Sequence, residues 1–265
     1  MLFRSFTVNY TYSKNIDDDG TIRSGWAIPG SVTANGKSWK ADRIDRARSV
    51  NDLTHVLTFF GVYQLPFGKG HIGGNHFATR AIASGWQTSW IYQYSSGLVL
   101  PIGGSAFGTA QNFGQGTYMP DYNPGFTGRN PRQNGDWGSG ITAATLAFKS
   151  YIAGYNSATT PGSCVGAFCN SAANTIGDLS RTAPYGLRGP AIYRLTMSVS
   201  RTFDITERFK FVFRVDCQNV TNHVTFGNNA QNNQIGVNIN NAAFGTLGFA
   251  SADSRAFQFG GRINF

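Results

Sequence analysis

The sequence predicts an all-β fold: an antiparallel, up-and-down transmembrane β-barrel segment of about six strands with long outer loops. Three observations carry this. Charged residues make up only 13% of the chain, while glycines number 33 and aromatics reach 14%, a mixture suited to strands, tight turns and loops. Apolar and polar residues alternate with a period of two through several runs of about ten residues. The connections between those runs are alternately longer and shorter, as an up-and-down wall with two unlike sides requires.

Taken in order, the first strand covers about residues 3–14, with Phe6, Val8, Tyr10 and Tyr12 on one face and Thr7, Asn9, Thr11 and Ser13 on the other. Met1-Leu2-Phe3-Arg4-Ser5 leads into it with no charged-then-apolar leader, so a leader is expected to have been removed or the protein to start further upstream. A polar loop follows from Asn15 to about Val50, holding Asp17-Asp18-Asp19-Gly20 and a basic segment from Arg43 to Arg48. The second strand, about Leu53 to Leu65, shows Leu57, Phe59, Gly61, Tyr63 and Leu65 on one face; Thr58, Phe60, Val62 and Gln64 opposite are only half polar. Pro66-Phe67-Gly68-Lys69-Gly70 ends it with turn chemistry.

The third strand, about Gly85 to Leu100, alternates most clearly, setting Trp86, Thr88, Trp90, Tyr92 and Tyr94 against Gln87, Ser89, Ile91, Gln93 and Ser95. Such rings suit the interfacial girdles of a membrane barrel. A stretch rich in Gly, Asn, Ser, Thr and Pro then runs from about Gly103 to Gly186, with a short helix expected at Thr142 to Tyr151. A connection of that length is suspect in a compact soluble domain and ordinary on the outer side of a barrel. The fourth strand carries Leu195, Met197, Val199, Arg201 and Phe203 on its apolar face, and Arg201 lies close enough to the turn at Asp204 to Glu207 to reach the interface. The fifth carries Phe209, Phe211, Phe213, Val215 and Cys217. A second polar loop, about Thr225 to Asp253, leads to the closing strand, where Phe257, Phe259, Gly261, Ile263 and Phe265 share a face.

The closing strand carries a specific signal. Gln258-x-Gly260-x-x-Ile263-x-Phe265 is similar to the pattern read by the outer-membrane barrel assembly machinery, which makes that machinery an expected partner. No apolar run reaches the roughly 18 residues of a membrane helix. A mean hydropathy of -0.22 is compatible with strands that hide a lipid face by alternation.

The formal charge of +9 is scattered singly and forms no block, so no nucleic-acid partner is expected; the excess serves solvation, or attraction to lipopolysaccharide or to an acidic ligand. Cys164 and Cys169, five residues apart in the longest loop, are candidates for a disulfide in an oxidising exterior. Cys217 reads as a small apolar strand residue. The triple aspartate lacks the spaced ligands of an EF-hand, and His55, His71, His76 and His223 stand in no catalytic spacing. Gly68-x-Gly70 has no strand-then-helix context for phosphate. No catalytic residue, metal or cofactor is expected, and the chain is read as a non-enzyme. Candidate ligand-contacting aromatics are Tyr118, Tyr122, Trp137 and Tyr151, with Phe113 and Phe126 beside them; these rings stack on a ligand or pack the loop against itself.

With these elements placed, the chain resembles the carboxyl-terminal part of an Oar-like TonB-dependent outer-membrane transporter. The resembling residues are Asn9-Tyr10-Thr11-Tyr12-Ser13-Lys14, Tyr63 to Gly70, Gly85-Trp86-Gln87, Leu187-Arg188-Gly189-Pro190, Ser200 to Arg208, Phe213-Arg214, Asn219, Asn222-His223 and Phe226-Gly227-Asn228. Cys217 and Thr221 depart from it, standing where the family usually has aromatics. The resemblance implies that residues 1–265 are one sector of a 22-stranded barrel, with plug and amino-terminal domains absent from this sequence. It implies uptake or export of a large nutrient, with TonB acting only through the missing plug, in the outer membrane of a Gram-negative bacterium among lipid and lipopolysaccharide.

Physics adds that about six strands are fewer than the roughly eight of the smallest membrane barrels. Open edges in lipid cost several kcal/mol for each unpaired group. Further strands are therefore expected, from an upstream region or from other copies. Two rivals remain at this point: a self-assembling structural or adhesive outer-membrane protein, and a secreted carbohydrate-binding β-sandwich.

Overall fold

A computed structural model describes residues 4–17, 31–34, 37–40, 46–67, 72, 84–104, 120–126, 156, 160–173, 177–180, 182, 186–223, 225–226, 235–247 and 254–265. The elements that span two or more described residues are all β-strands. In chain order the strands are β1 (Arg4–Tyr12), β2 (Ile16–Asp17), β3 (Ser31–Ala34), β4 (Lys37–Lys40), β5 (Ala47–Arg48), β6 (His55–Gln64), β7 (Trp86–Ser95), β8 (Asp121–Tyr122), β9 (Cys164–Val165), β10 (Phe168–Cys169), β11 (Ile192–Asp204), β12 (Lys210–Gln218) and β13 (Ala256–Asn264). The helix expected at Thr142 to Tyr151 lies outside the described residues.

Six strands form one antiparallel sheet in the order β1-β6-β7-β11-β12-β13. Every neighbour in that order is also the next long strand in sequence, the signature of up-and-down winding. Antiparallel strands can be joined by tight turns, and Ile205 to Phe209 provides one, with the Ile205 and Thr206 N–H groups donating to the Phe209 carbonyl. The connections after β1, β7 and β12 leave from the opposite end of the sheet and are the long ones. The strand expected to run to Leu100 stops at Ser95, because Val99 and Leu100 turn away and bury themselves in the packed connections.

The register makes the two faces continuous across all six strands. Phe6 pairs with Gly61, Gly61 with Trp90, Trp90 with Met197, Met197 with Cys217, and Cys217 with Phe257. Residues paired across a ladder share a face, so the predicted apolar faces fuse into one band. The opposite face holds Asn9, Thr58, Gln93, Arg194, Asp216 and Gln258 among its polar groups. Phe60 and Ile91, a cross-strand pair, form an apolar patch within it.

The same register fixes the tilt. Phe257 is level with Phe6, yet the outward run of β1 continues to Tyr12, so the apolar band slips six residues over the five steps from β1 to β13. At about 3.3 Å per residue and about 4.8 Å per strand step, that slip tilts the strands by about 40°, within the range for membrane barrels. A nine-residue strand such as β1 or β13 then rises about 23 Å, the height of a barrel's apolar band.

Where the core sits follows from this. None of the fully buried hydrophobic side chains belongs to the six-stranded sheet; they lie in its outer connections, where Leu100, Ile102, Phe168, Leu179, Leu187, Ile235, Ile239, Phe244 and Leu247 pack together. A soluble sandwich would bury its apolar strand face, whereas here Phe6, Val8, Phe257, Phe259 and Ile263 are all exposed. The connections expected to be plain loops are thus the packed part of the molecule. The polar stretch from Asn15 to Val50 likewise contains strand pairs, β2 with β5 and β3 with β4. Among the described residues β1 and β13 each pair on one side only, so the sheet is open.

Candidate functional site

The packed outer connections form a cap at the long-loop end of the sheet, and a buried ionic node ties it down. Asp52, just before β6, has no exposed side-chain surface. Its carboxylate accepts from the Asn15 backbone N–H at 2.6 Å, from Arg48 Nη1 at 3.0 Å, from Thr54 Oγ1 at 3.3 Å and from Arg188 Nη2. Arg188 Nη1 also donates to the carbonyls of Asp52 at 2.8 Å and Gly97 at 2.9 Å. The Thr182 hydroxyl donates to the Arg48 carbonyl. Burial alone pushes the Asp52 carboxyl up. The Asn15 N–H and then the Arg188 and Arg48 guanidinium groups more than offset it and hold the group below its ordinary value. The node joins the connections on both sides of β6 and β7.

A second network, of side-chain amides, joins the connection after β7 to the connection after β12. Asn156 is fully buried; its Nδ2 donates to the Ser163 carbonyl at 2.9 Å, and its carbonyl accepts from Asn240 Nδ2 at 3.2 Å. Asn240 Nδ2 also reaches Asn170 Oδ1 at 2.8 Å, and Asn170 Nδ2 donates to Ser163 Oγ at 2.8 Å. Backbone bonds add to this: Gly103 N–H to the Val237 carbonyl, and Ile239 N–H to the Gly103 carbonyl. An amide offers donors and an acceptor together, which is why an asparagine-rich sequence can fold such a cap with little regular structure.

On the cap lies a cleft of about 480 Å³ lined by Asp121, Tyr122, Pro124, Gly162, Cys164, Cys169, Asn170, Ala172 and Asp178. Its frame is the three-stranded sheet β8-β10-β9, in which Cys169 stands between Asp121 and Cys164. Cys164 and Cys169 are joined by a disulfide, with Cα atoms 3.9 Å apart. Gly162 and Gly166 take positive φ around this hairpin, a backbone that side chains disfavour. Asp121 Oδ1 accepts from the Asp178 N–H at 2.8 Å, and Asp178 Oδ1 accepts from the Tyr122 N–H at 2.9 Å, so the two acids tie β8 to the segment around Asp178. The cleft presents one aromatic ring, a proline and a disulfide beside carboxylates and an amide. That surface suits a ligand with both an apolar face and hydrogen-bond donors.

The chain is matched over residues 4–258 by the family described as outer membrane beta barrel domain. It belongs to that family. Membership places the sheet in the Gram-negative outer membrane, its apolar band toward lipid and its polar face toward the lumen. No curated protein and no solved structure matches the chain.

Of the predicted ligand-contacting aromatics, the structure puts Tyr122 in the cleft; Tyr118, Trp137 and Tyr151 lie outside the described residues. Phe126, like Tyr122, packs against the cap's core. Cys164 and Cys169 join Tyr122 at the same cleft. None of the terminal signal residues lines it. Gln258 pairs with Asp216 and Gly260 with Arg214 on the lumen face, Ile263 pairs with Phe211 on the lipid face, and the ring of Phe265 lies 6.5 Å from that of Phe209. The sequence marks Arg188 only within the resembling motif Leu187-Arg188-Gly189-Pro190, and Asp52, Asp121, Asn170 and Asp178 not at all. The available signal was Asp121 adjoining a chosen tyrosine; the pairing of Asp52 with Arg188, 136 residues apart, gave none.

Proposed function

We propose that the chain is a sector of a TonB-dependent outer-membrane transport barrel of the Oar-like kind, working in uptake or export of a large nutrient. The supporting observation is the cap: long outer connections are locked into one packed body with its own apolar core and a ligand-sized cleft, at the outer end of a polar-faced wall. A purely structural wall has no use for such an elaborated mouth, while a receptor needs a rigid surface to capture its cargo before the lumen opens. The remaining strands and the plug on which TonB pulls come from outside the described residues. The terminal strand is read by the barrel assembly machinery, and the outer rim faces lipopolysaccharide. No catalytic role is proposed.

The test is cross-linking in energised cells, followed by recovery from outer-membrane fractions with an antibody to residues 160–173 of the cap. A species several-fold heavier than 28.7 kDa that is cross-linked to TonB is expected. Recovery without TonB in energised cells counts against the transport reading.

One observation favours a second reading. The sheet has six strands, so its two open edges run in opposite directions, and β13 of one copy can pair antiparallel with β1 of the next. A heavy species that dissociates only into chains of 28.7 kDa would select this self-assembling protein.

A further inference from the structure

The lipid-facing band has unlike ends. At its short-turn end it holds two arginines. Arg4 lies over the Tyr63 ring at 5.2 Å, and Arg201 lies over the Phe203 ring at 4.4 Å and the Trp86 ring at 5.8 Å. The register puts both on the apolar face, Arg4 opposite Tyr63 and Arg201 between Trp86 and Phe213. Allowing for the slip of the band, Arg4, Arg201, Tyr63, Trp86 and Phe203 fall within about 5 Å of one level along the membrane normal. No Asp or Glu occupies the apolar-face positions of the six strands.

The long-loop end is different. There the band closes with tyrosines and histidines: the Tyr10 hydroxyl bonds His55 Nδ1 at 2.8 Å, and the Tyr193 hydroxyl bonds His223 Nδ1 at 2.9 Å. No Lys or Arg stands on the apolar-face positions of the strands at that end. Aromatic residues at both ends mark the two interfaces, and within the described strands the cations seated on aromatic rings stand at the short-turn end. A guanidinium is costly in hydrocarbon unless it reaches the headgroups. Arginine's planar fork matches a phosphate, and an aromatic face beneath it fixes the fork's direction.

We propose that Arg4 and Arg201, each seated on an aromatic ring, bind the phosphates of phospholipid headgroups in the periplasmic leaflet, so that this rim is a phospholipid-binding girdle. Charge complementarity selects the partner, and the position at the short-turn end selects the leaflet. The inference rests on the membrane-spanning sheet alone and stands or falls apart from the transport reading.

The test is native mass spectrometry of the full chain, in its outer-membrane form in detergent, offered phosphatidylglycerol or diacylglycerol with the same acyl chains. Phosphatidylglycerol should be retained at least five-fold better, and R4Q and R201Q should each lower that retention about five-fold. R201K should keep part of it, and R194Q, on the lumen face, should keep all of it. Equal retention of the two lipids by the unmodified protein overturns the proposal even where a variant fails to fold. So does unchanged retention in both glutamine variants. Displacement of phosphatidylglycerol by millimolar inorganic phosphate would mark a free-anion site and overturn the lipid assignment.

Discussion

Arg188 and Asp52, 136 residues apart in sequence, form an ion pair at the base of the cap, the arginine from the end of the longest connection and the carboxylate from the threshold of β6. Because the carboxylate is fully buried while the Arg188 and Arg48 side chains keep partial contact with solvent, removing its charge leaves both guanidinium groups without this counterion. Asp52→Asn is therefore expected to loosen the cap by about 1–3 kcal/mol, the cost of leaving a hydrogen-bonded network short of its acceptor. Hydrogen exchange should show this as lost protection at the Ser13, Ser49 and Asp52 amides, which donate to backbone carbonyls around the node. Unchanged protection would mean that the apolar cluster alone holds the cap. The sign with pH follows from the depressed carboxyl. The node's contribution is complete above the ordinary aspartate value of 3.8 and is lost as pH falls below it toward the folded value. Protection at those amides should be flat from neutral pH to about 4 and fall below that, and Asp52→Asn should abolish the acid-side fall.

The lipid face offers a packing test. A Cβ on Gly61 would stand 2.6 Å from Trp90 Cζ2, 2.9 Å from the Ser5 carbonyl oxygen and 3.1 Å from Phe6 Cβ. The glycine is thus the seat of the tryptophan ring, and two of those three contacts are with the neighbouring strand β1, where there is little give. Gly61→Ala should destabilise the folded sheet by about 1–3 kcal/mol, measured as a lower urea midpoint of the detergent-folded chain. A midpoint equal to that of the unmodified protein would mean that β1 is free to shift.

The wall of this fold was legible in sequence because each strand states its own faces. Trp86, Thr88, Trp90, Tyr92 and Tyr94 needed no partner to be assigned, and a period of two is a local property. The register then only had to join faces already written. The cap was not legible, because nothing local announces it. Leu179, Ile235 and Leu247 are single apolar residues among Gly, Asn and Thr, and they become a core only when connections far apart in sequence meet. The same holds for Asn156, Asn170 and Asn240, which read as loop composition and act as joints. Cys164, Cys169 and Tyr122 could be picked out by chemical type, whereas their gathering at one cleft depends on β8 pairing with β10.

The closing strand separates stability from assembly, because its two adjacent glycines have different surroundings. A Cβ on Gly261 would meet the Phe211 ring at 3.1 Å, whereas on Gly260 the nearest atom is the Arg214 carbonyl oxygen at 4.0 Å. Gly261→Ala should therefore lower the stability of the detergent-folded protein, and Gly260→Ala should leave it within about 0.5 kcal/mol. If Gly260 and Phe265 serve recognition by the assembly machinery, the order reverses in the cell. Gly260→Ala then slows insertion although it costs no stability. Phe265→Asp, altering a ring that is 95% exposed and buries almost nothing in the fold, stops insertion. The measurement is the fraction of newly made protein that becomes protease-resistant in outer membranes, set beside the urea midpoint of each variant. Normal insertion of both Gly260→Ala and Phe265→Asp would remove the signal reading, since neither residue has a packing role that could mask the effect.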